Sequence, residues 1–514
     1  MTSWLLLALV IYMGIMLFIG ITSAKKNKNA TDYFLGGRNL NGWVAALSAQ
    51  ASDMSGWLLM GLPGCIYAFG TNQAWIAIGL FIGTVLNWIF VSGRLRRYTI
   101  RSGNAMTIPE YLSNRFKDEK KILMAISAVV MVVFFLVYTA SSFAAGGKLF
   151  VSITGMDYHV ALMVGAGVIL LYTLFGGFLA VCETDFIQGL MMLVAILAVP
   201  IVAVALMGTG NIVPNLRESG LDVSVSEFLN IFNEGGEPIS AVSVLSQLAW
   251  GLGYCGMPHI LVRFMAIKDE KELGKSKKVA IVWVLLSLAV ACIIGVVGRA
   301  YLFPQILGTE NAEYENVFIE MIKKMFMDDI RIPFIGGIFL CGILAAIMST
   351  ADSQLLVSSS SVAKDLFNGV FFKKMEEKKV MVISRLTVVV VAVIAFAIAW
   401  NPNSSIMGLV SNAWAGLGAA FGPTILLSLY WKRINLYGAM AGMLSGGLTV
   451  IIWDNIKLIN VDGVKQTIGA YTGIYSLLVG FFVSLFFIVL VSLVTPKVSD
   501  EVIQEFEDVK NGNI

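Results

Sequence analysis

Ala51-Ser52-Asp53-Met54-Ser55-Gly56-Trp57-Leu58-Leu59-Met60-Gly61-Leu62-Pro63-Gly64 lies inside an apolar window covering about residues 42–68. That window has the length of a membrane helix, since about 20 apolar residues cross the hydrocarbon core. Its middle nevertheless holds an acid, glycines and a proline. Backbone in lipid must satisfy its own hydrogen bonds, so clustered Gly and Pro at that depth mark an interrupted helix. A second such segment, Trp250-Gly251-Leu252-Gly253-Tyr254-Cys255-Gly256-Met257-Pro258-His259, stands five apolar windows further on. Gly251, Gly253 and Gly256 spell GxGxxG, but a dinucleotide fingerprint needs a preceding strand and a βαβ unit. Here the motif sits in an apolar helix.

The rest of the chain has the same character. Of 514 residues, 57% are apolar and 13% charged, against roughly 45–50% and about 25% in soluble proteins. A soluble globule that apolar could not cover its own surface. Lys and Arg total 36 and Asp and Glu 33, a net charge of +3, which argues against a nucleic-acid partner. The chain reads as an all-α polytopic membrane protein. Its apolar windows number thirteen: about 4–24, 42–68, 73–93, 122–147, 158–181, 184–207, 240–259, 279–303, 333–363, 380–400, 404–431, 436–456 and 470–495. Cys65, Cys182, Cys255, Cys292 and Cys341 lie in or beside them without metal-ligand spacing, and read as small buried hydrophobes. Gly438, Gly442 and Gly446 form overlapping GxxxG steps, a helix-packing face.

Lys25 and Lys26 follow the first window and no positive charge precedes it, the reverse of a cleavable signal peptide. With the N-terminus outside and the C-terminus inside, 28 of the 36 Lys and Arg fall on the cytoplasmic side, in segments such as 94–121, 263–278 and 364–385. That is the asymmetry of the positive-inside rule, and an even number of spans would break it. No soluble domain is left over. Residues 1–495 read as one membrane domain and 496–514 as a cytoplasmic tail, a short charged helix or a disordered end.

Two interrupted helices five spans apart suggest spans 2–6 repeated as spans 7–11, about residues 42–207 and 240–431, with one helix before and two after. Secondary transporters built from inverted repeats carry broken helices at such positions, with the solute between them. Asp53 lies near the bilayer centre, where a carboxylate costs about 2.5–3.5 kcal/mol and marks function by default; the alternative is a carboxylate capping broken-helix amides. Asp352 lies deep in span 9, and Asp185 begins span 6, where capping the helix is a sufficient role for it. Ala346, Ser349 and Thr350 share one helix face. A hard monovalent cation wants oxygens from carbonyls, hydroxyls or carboxylates, which this face and the loosened backbone of span 2 offer.

At these residues the sequence resembles the sodium/solute symporter family, and within it the sodium/proline symporters. Ala46 to Gly64 carries the likeness almost residue for residue. Leu35 to Arg38, Trp250 to His259, Leu344 to Thr350 and Ala413 to Pro423 add to it. The resemblance implies a leucine-transporter-like fold with a 5+5 inverted-repeat core. It implies a sodium (Na+) site made by the carbonyls of Ala51, Met54 and Ala346 and the hydroxyls of Ser349 and Thr350, with Asp53 as the essential acid beside it. Ser55, Gly56, Trp57, Tyr138, Trp250, Tyr254 and Pro258 match the proline pocket. Asp185 matches an acid that some members use for a second cation, and Asp352 is a further candidate.

The expected activity is sodium-coupled import of L-proline by alternating access in the cell membrane, with Na+ as coupling ion. No enzyme chemistry and no obligate protein partner are expected; membrane lipid is the surrounding medium. Proline is a zwitterion with a small ring. Its carboxylate suits half-helix amides, its ammonium suits carbonyls or Ser55, and its ring suits the aromatic faces, with a cation–π term for the amine. The alternatives are a sodium symporter of another amino acid, pantothenate, a sugar or an osmolyte, and, from another class, a membrane sensor or channel. His259 reads as a polar helix-end residue without a partner.

Overall fold

The computed structural model describes residues 2–24, 30–175, 177–372, 375–461 and 463–512. Among them, ten helices are long and apolar enough to cross a membrane: Ser3–Thr22, Thr71–Arg101, Ile122–Thr154, Phe178–Met207, Glu270–Leu302, Pro333–Phe371, Glu377–Ile398, Ile406–Tyr430, Leu436–Asn455 and Ser476–Val494. The thirteen windows exceed that number by three, for physical reasons. The second and seventh are broken into pieces that are each too short. The fifth is the helix Tyr158–Phe175; the chain leaves it at Gly177, whose extended backbone starts a new helix at Phe178. The window 158–181 therefore runs six residues past the end of that helix.

The break in the second span follows from its residues. Asn41 opens the first half by accepting hydrogen bonds from the Trp43 and Val44 amides at 3.1 and 3.0 Å, which satisfies first-turn donors. The α-helix Gly42–Asp53 ends where Met54 turns to φ −89°, ψ 80°. The chain resumes as a π-helical turn, Trp57–Gly61, and then as Leu62–Phe69, with Pro63 near the start, where no N–H is needed. The seventh span repeats the device. Ala241–Leu248 is α-helical, Ala249–Gly256 tightens to a 3₁₀ helix, Met257 is extended, and Pro258–Ala266 is helical again with Pro first. Gly251 is required here for close approach: a Cβ on it would strike the carbonyl of Gly79, and one on Gly83 would strike that of Gly251. The third and seventh spans thus touch backbone to backbone, which settles the GxGxxG pattern as packing.

The broken helices sit inside the bundle. The first half of span 2 packs on Phe178–Met207 and Glu270–Leu302, and the 3₁₀ segment of span 7 packs on Ile406–Tyr430. Gly438 and Gly442 lie against Ser492 and Ile488 of the last membrane helix, the packing face read from their spacing. All five cysteines are free. Span 9 continues past Ser360 as a π-helical stretch, Ser361–Phe371. Its Lys364 pairs with Glu110 at 2.6 Å, and its Asp365 accepts from Thr107 at 2.7 Å. Of the two forms open to the tail, the chain takes the helix: Asp500–Asn511 buries Val502, Phe506 and Val509. It also pairs Asp508 with Arg101 at 2.9 Å and Glu505 with Lys117 at 2.6 Å.

Candidate ion and solute site

Two clusters of buried polar groups surround the break in span 2. The first joins it to span 9. The Ser349 hydroxyl donates to the Ala51 carbonyl at 2.7 Å and to the Ala346 carbonyl at 3.3 Å, and the Thr350 hydroxyl donates to Ala51 at 3.4 Å. Four oxygens from two helices therefore meet at the end of Gly42–Asp53, all on residues with no measurable exposure. Met54 forms the break itself, and its thioether accepts from Ser287 at 3.4 Å. The Ala51 carbonyl, freed by the helix end, and the flanking hydroxyls belong to the donor set a hard cation selects, whereas the Ala346 carbonyl lies inside the unbroken helix Pro333–Ser360.

Asp53 stands beside this cluster, wholly buried. Its Oδ2 accepts from the Tyr254 hydroxyl at 2.7 Å, whereas Oδ1 has no partner among the described residues. Its main-chain carbonyl accepts from the Trp57 indole at 3.0 Å and from the Tyr138 hydroxyl at 3.4 Å. The described bonds of the carboxylate thus go to a tyrosine of span 7 rather than to broken-helix amides. The hydroxyl of Ser55 accepts from the Trp57 amide at 3.4 Å, and Gly56 faces Ala145 of span 4 closely enough that a Cβ would stand 2.9 Å away. Trp57, Tyr138 and Tyr254 therefore converge on Asp53. Trp250 stands apart, stacked on Tyr475 with ring centroids 5.0 Å apart, while its carbonyl accepts from the Trp414 indole at 2.8 Å. A cavity of about 850 Å³ reaches this point and is lined by Trp250, Gln247, Tyr475, Asn412 and Asp454 among others. Pro258 is buried as the first residue of its half-helix.

The second cluster corrects two sequence expectations. Asp185 does not begin its helix: Phe178 does, and Asp185 lies two turns inside, so it caps nothing. Arg263 does not lie on the membrane face with its neighbours in 263–278. It is wholly buried; its guanidinium donates to Asp185 Oδ2 at 3.1 Å, Ser353 at 2.6 Å, Ser48 at 3.1 Å and the His259 carbonyl at 2.8 Å. Ser48 also donates to Asp185 at 2.6 Å. Asp352 joins through Ser353, 3.4 Å away. His259 itself is buried, its ring edge-on to Phe135 and Tyr138 at 5.6 and 6.0 Å.

Sequence reading missed Arg263, Ser48, Ser353, Trp414 and Tyr475. For Arg263 a signal existed: it is the one formal charge in Pro-His-Ile-Leu-Val-Arg-Phe-Met-Ala, 258–266. Tyr475 gave none, because only the folded chain brings the last membrane helix beside Trp250.

The fold and this site define a polytopic membrane transporter built on broken helices. The profile of the Sodium:solute symporter family matches residues 33–446, and the chain belongs to that family. It is 44% identical to the high-affinity proline transporter PutP of Bacillus subtilis (strain 168) over 96% of this chain and 98% of that one. It is 43% identical to the osmoregulated proline transporter OpuE of the same organism over 97% and 96%. With the sodium/proline symporter of Staphylococcus aureus it shares 42% over 95% and 92%. Its fold is similar to that of a Na+-coupled sialic acid symporter in a substrate-bound outward-open state, with a TM-score of 0.75 at 18% identity over 96% of this chain and 99% of that one. It is also similar to Mhp1, a nucleobase-cation-symport-1 family transporter in a closed conformation, with a TM-score of 0.55 at 13% identity over 92% and 97%.

Proposed function

We propose that the chain imports L-proline by sodium-coupled symport. The observation that carries the reading is the meeting of the Ala51 and Ala346 carbonyls with the Ser349 and Thr350 hydroxyls at the break in span 2. The names of the full-length relatives supply the solute. In this reading sodium binds among those oxygens and the Met54 carbonyl. It offsets the charge of Asp53 and joins span 2 to span 9. Ordering the break raises affinity for the solute, and by reciprocity the solute raises affinity for sodium. Ser55, Gly56, Trp57, Tyr138, Tyr254 and Pro258 line the place of the solute, and Trp250 closes it on the side of the cavity. Asp185 and Asp352 belong to the network around Arg263.

Residues 1–495 act as one transport unit, with repeats at about 42–207 and 240–431. The N-terminus lies outside and the tail inside, an orientation supported by the distribution of Lys and Arg. One positive charge entering down about 100 mV supplies roughly 2.3 kcal/mol. At about 1.4 kcal/mol per tenfold, that holds about a fortyfold solute gradient.

The test is uptake of labelled proline by proteoliposomes holding the purified chain, with sodium, lithium and proton gradients imposed separately. Accumulation driven by sodium is expected. Uptake indifferent to sodium refutes the coupling. Sodium-driven flux of another solute, without competition by proline, refutes the substrate alone.

A further inference from the structure

We propose that an anionic phospholipid binds in a groove between spans 3, 7 and 11, with one acyl chain against span 7 and its phosphate on Arg94 and Arg97. The groove encloses about 600 Å³, within the size range of small-ligand sites. Its floor is formed where Gly83 meets the backbone of Gly251, so no side chain fills it. Leu86 and Phe90 of span 3 wall one side and Leu252 of span 7 the other. Leu86 and Phe90 are 46% and 50% exposed, so the groove opens outward, and among the described residues no charged side chain lines it. Such a lining takes hydrocarbon.

The charges at one end choose the class of lipid. Tyr430 closes that end, its hydroxyl donating to the Phe90 carbonyl at 2.7 Å. The Arg94 guanidinium lies 4.0 Å from the centre of the Tyr430 ring. Its one described hydrogen bond goes to the Leu429 carbonyl at 3.0 Å, which leaves most of its five donors free. Arg97 stands one turn further along the same face of the helix Ser92–Arg101. Its Nε is buried without a partner among the described residues. Neither has an acidic partner among those residues, whereas Arg101, beyond them, pairs with Asp508 at 2.9 Å. A buried N–H left bare is costly, and phosphate oxygens satisfy guanidinium donors with charge-assisted, forked bonds. Basic pockets between membrane helices hold anionic headgroups in this way. The acyl chain would lie on irregular backbone: Phe90 is in the π-helical turn Asn87–Val91, and Leu252 is in the 3₁₀ segment that carries Tyr254. Asn87 ties the two by donating to the Tyr254 carbonyl at 3.1 Å, so a lodged chain braces the broken span from the lipid side.

The test places the full chain in nanodiscs of phosphatidylcholine with a trace of phosphatidylglycerol that carries a photoactivatable group on one acyl chain. A matching phosphatidylcholine probe serves as the comparison, and adducts are mapped by peptide mass spectrometry. The phosphatidylglycerol probe is expected to label the peptides holding Leu86, Phe90 and Leu252 in preference to the phosphatidylcholine probe. An arginine near anionic lipid contributes about fivefold. Arg97→Gln should therefore cut the preference about fivefold, and Arg94→Gln/Arg97→Gln about thirtyfold. Leu86→Trp fills the groove while keeping both charges, and should lower labelling at Leu252 by either probe. Equal labelling of the wild type by the two probes overturns the inference, and so does a preference that survives in Arg94→Gln/Arg97→Gln. Inorganic phosphate that displaces the probe as well as unlabelled phosphatidylglycerol does refutes the acyl-chain site. Groove peptides that neither probe labels, in discs holding two copies, assign the face to a second chain and overturn it as well. If the double variant does not fold, Arg97→Gln, which loses no described bond, decides alone. Labelling involves no transport, so its outcome is separate from that of the symport reading.

Discussion

Replacing Ser349 by Ala removes one oxygen from the proposed ion site and little else. The hydroxyl is wholly buried and, among the described residues, bonds to the Ala51 and Ala346 carbonyls, at 2.7 and 3.3 Å. With sodium present, the same oxygen turns its lone pair to the ion, and losing a contact to a charged group costs ~1.5–3 kcal/mol. The sodium-free protein loses its neutral hydrogen bonds by the same substitution, worth ~1 kcal/mol. The difference, ~0.5–2 kcal/mol, is about 2–30-fold in sodium affinity. Initial proline uptake would be measured in proteoliposomes while sodium is varied at a solute concentration far below KM. The sodium half-saturation concentration should rise by that factor, and proline KM should return to the wild-type value at saturating sodium. An unchanged sodium dependence, or a proline KM still raised at saturating sodium, would sink the assignment of Ser349 to the ion.

Other substitutions probe the neighbouring contacts. Trp250→Ala removes the stack on Tyr475, worth ~0.5–1.5 kcal/mol, together with a wall of the proposed solute site. Proline KM should rise several-fold with sodium affinity at saturating proline unchanged, read by the same uptake assay. Asp185→Asn takes the carboxylate from a buried guanidinium, which costs about 3–5 kcal/mol; thermal unfolding of the purified protein in detergent should shift down sharply. Gly253→Ala would drive a Cβ into the Trp414 indole that holds the Trp250 carbonyl. Solute binding, followed by tryptophan fluorescence, should weaken more than sodium binding. The tail offers a test of pH and salt. The hydrogen bond from Arg101 holds the Asp508 carboxyl below its usual range, so its share of docking is present above the ordinary carboxylate pKa and lost as pH falls through the lowered one. High salt shrinks the Debye length to about 3 Å at 1 M but leaves Val502, Phe506 and Val509 buried. Limited proteolysis should therefore release the tail of Phe506→Ala at ordinary salt and spare the wild-type tail at high salt.

The two broken spans were legible because lipid punishes unsatisfied backbone, so glycine and proline in mid-membrane carry information that they lack in a soluble loop. Asp53, Ser349 and Thr350 were legible for the same reason, as polar groups where polarity is costly. Length alone was less telling. A window of apolar residues does not report whether its helix is whole, and Gly177 cut the fifth window short of its apolar end. Position along the chain also misled at both ends of the Arg263–Asp185 pair. Each residue lies near the limit of an apolar window, where a charge is ordinarily explained by water. The helices in fact continue past those limits, and the two side chains meet inside. No periodicity encodes such a contact, nor that between Tyr475 and Trp250, because each depends on how distant spans are laid against one another.

The π-helical stretch Ser361–Phe371 has a mechanical consequence. A turn closed by i→i+5 bonds holds more residues than an α-turn, so this end of span 9 stores slack in register. It can tighten to i→i+4 bonding without leaving a carbonyl or an amide bare. Tightening would wind Lys364 and Asp365 around the helix axis relative to Ser349 and Thr350. Those two residues are fastened to Glu110 and Thr107, on the connection between the third and fourth spans. A change of pitch in this stretch would therefore pull on a loop remote from Ser349 and Thr350.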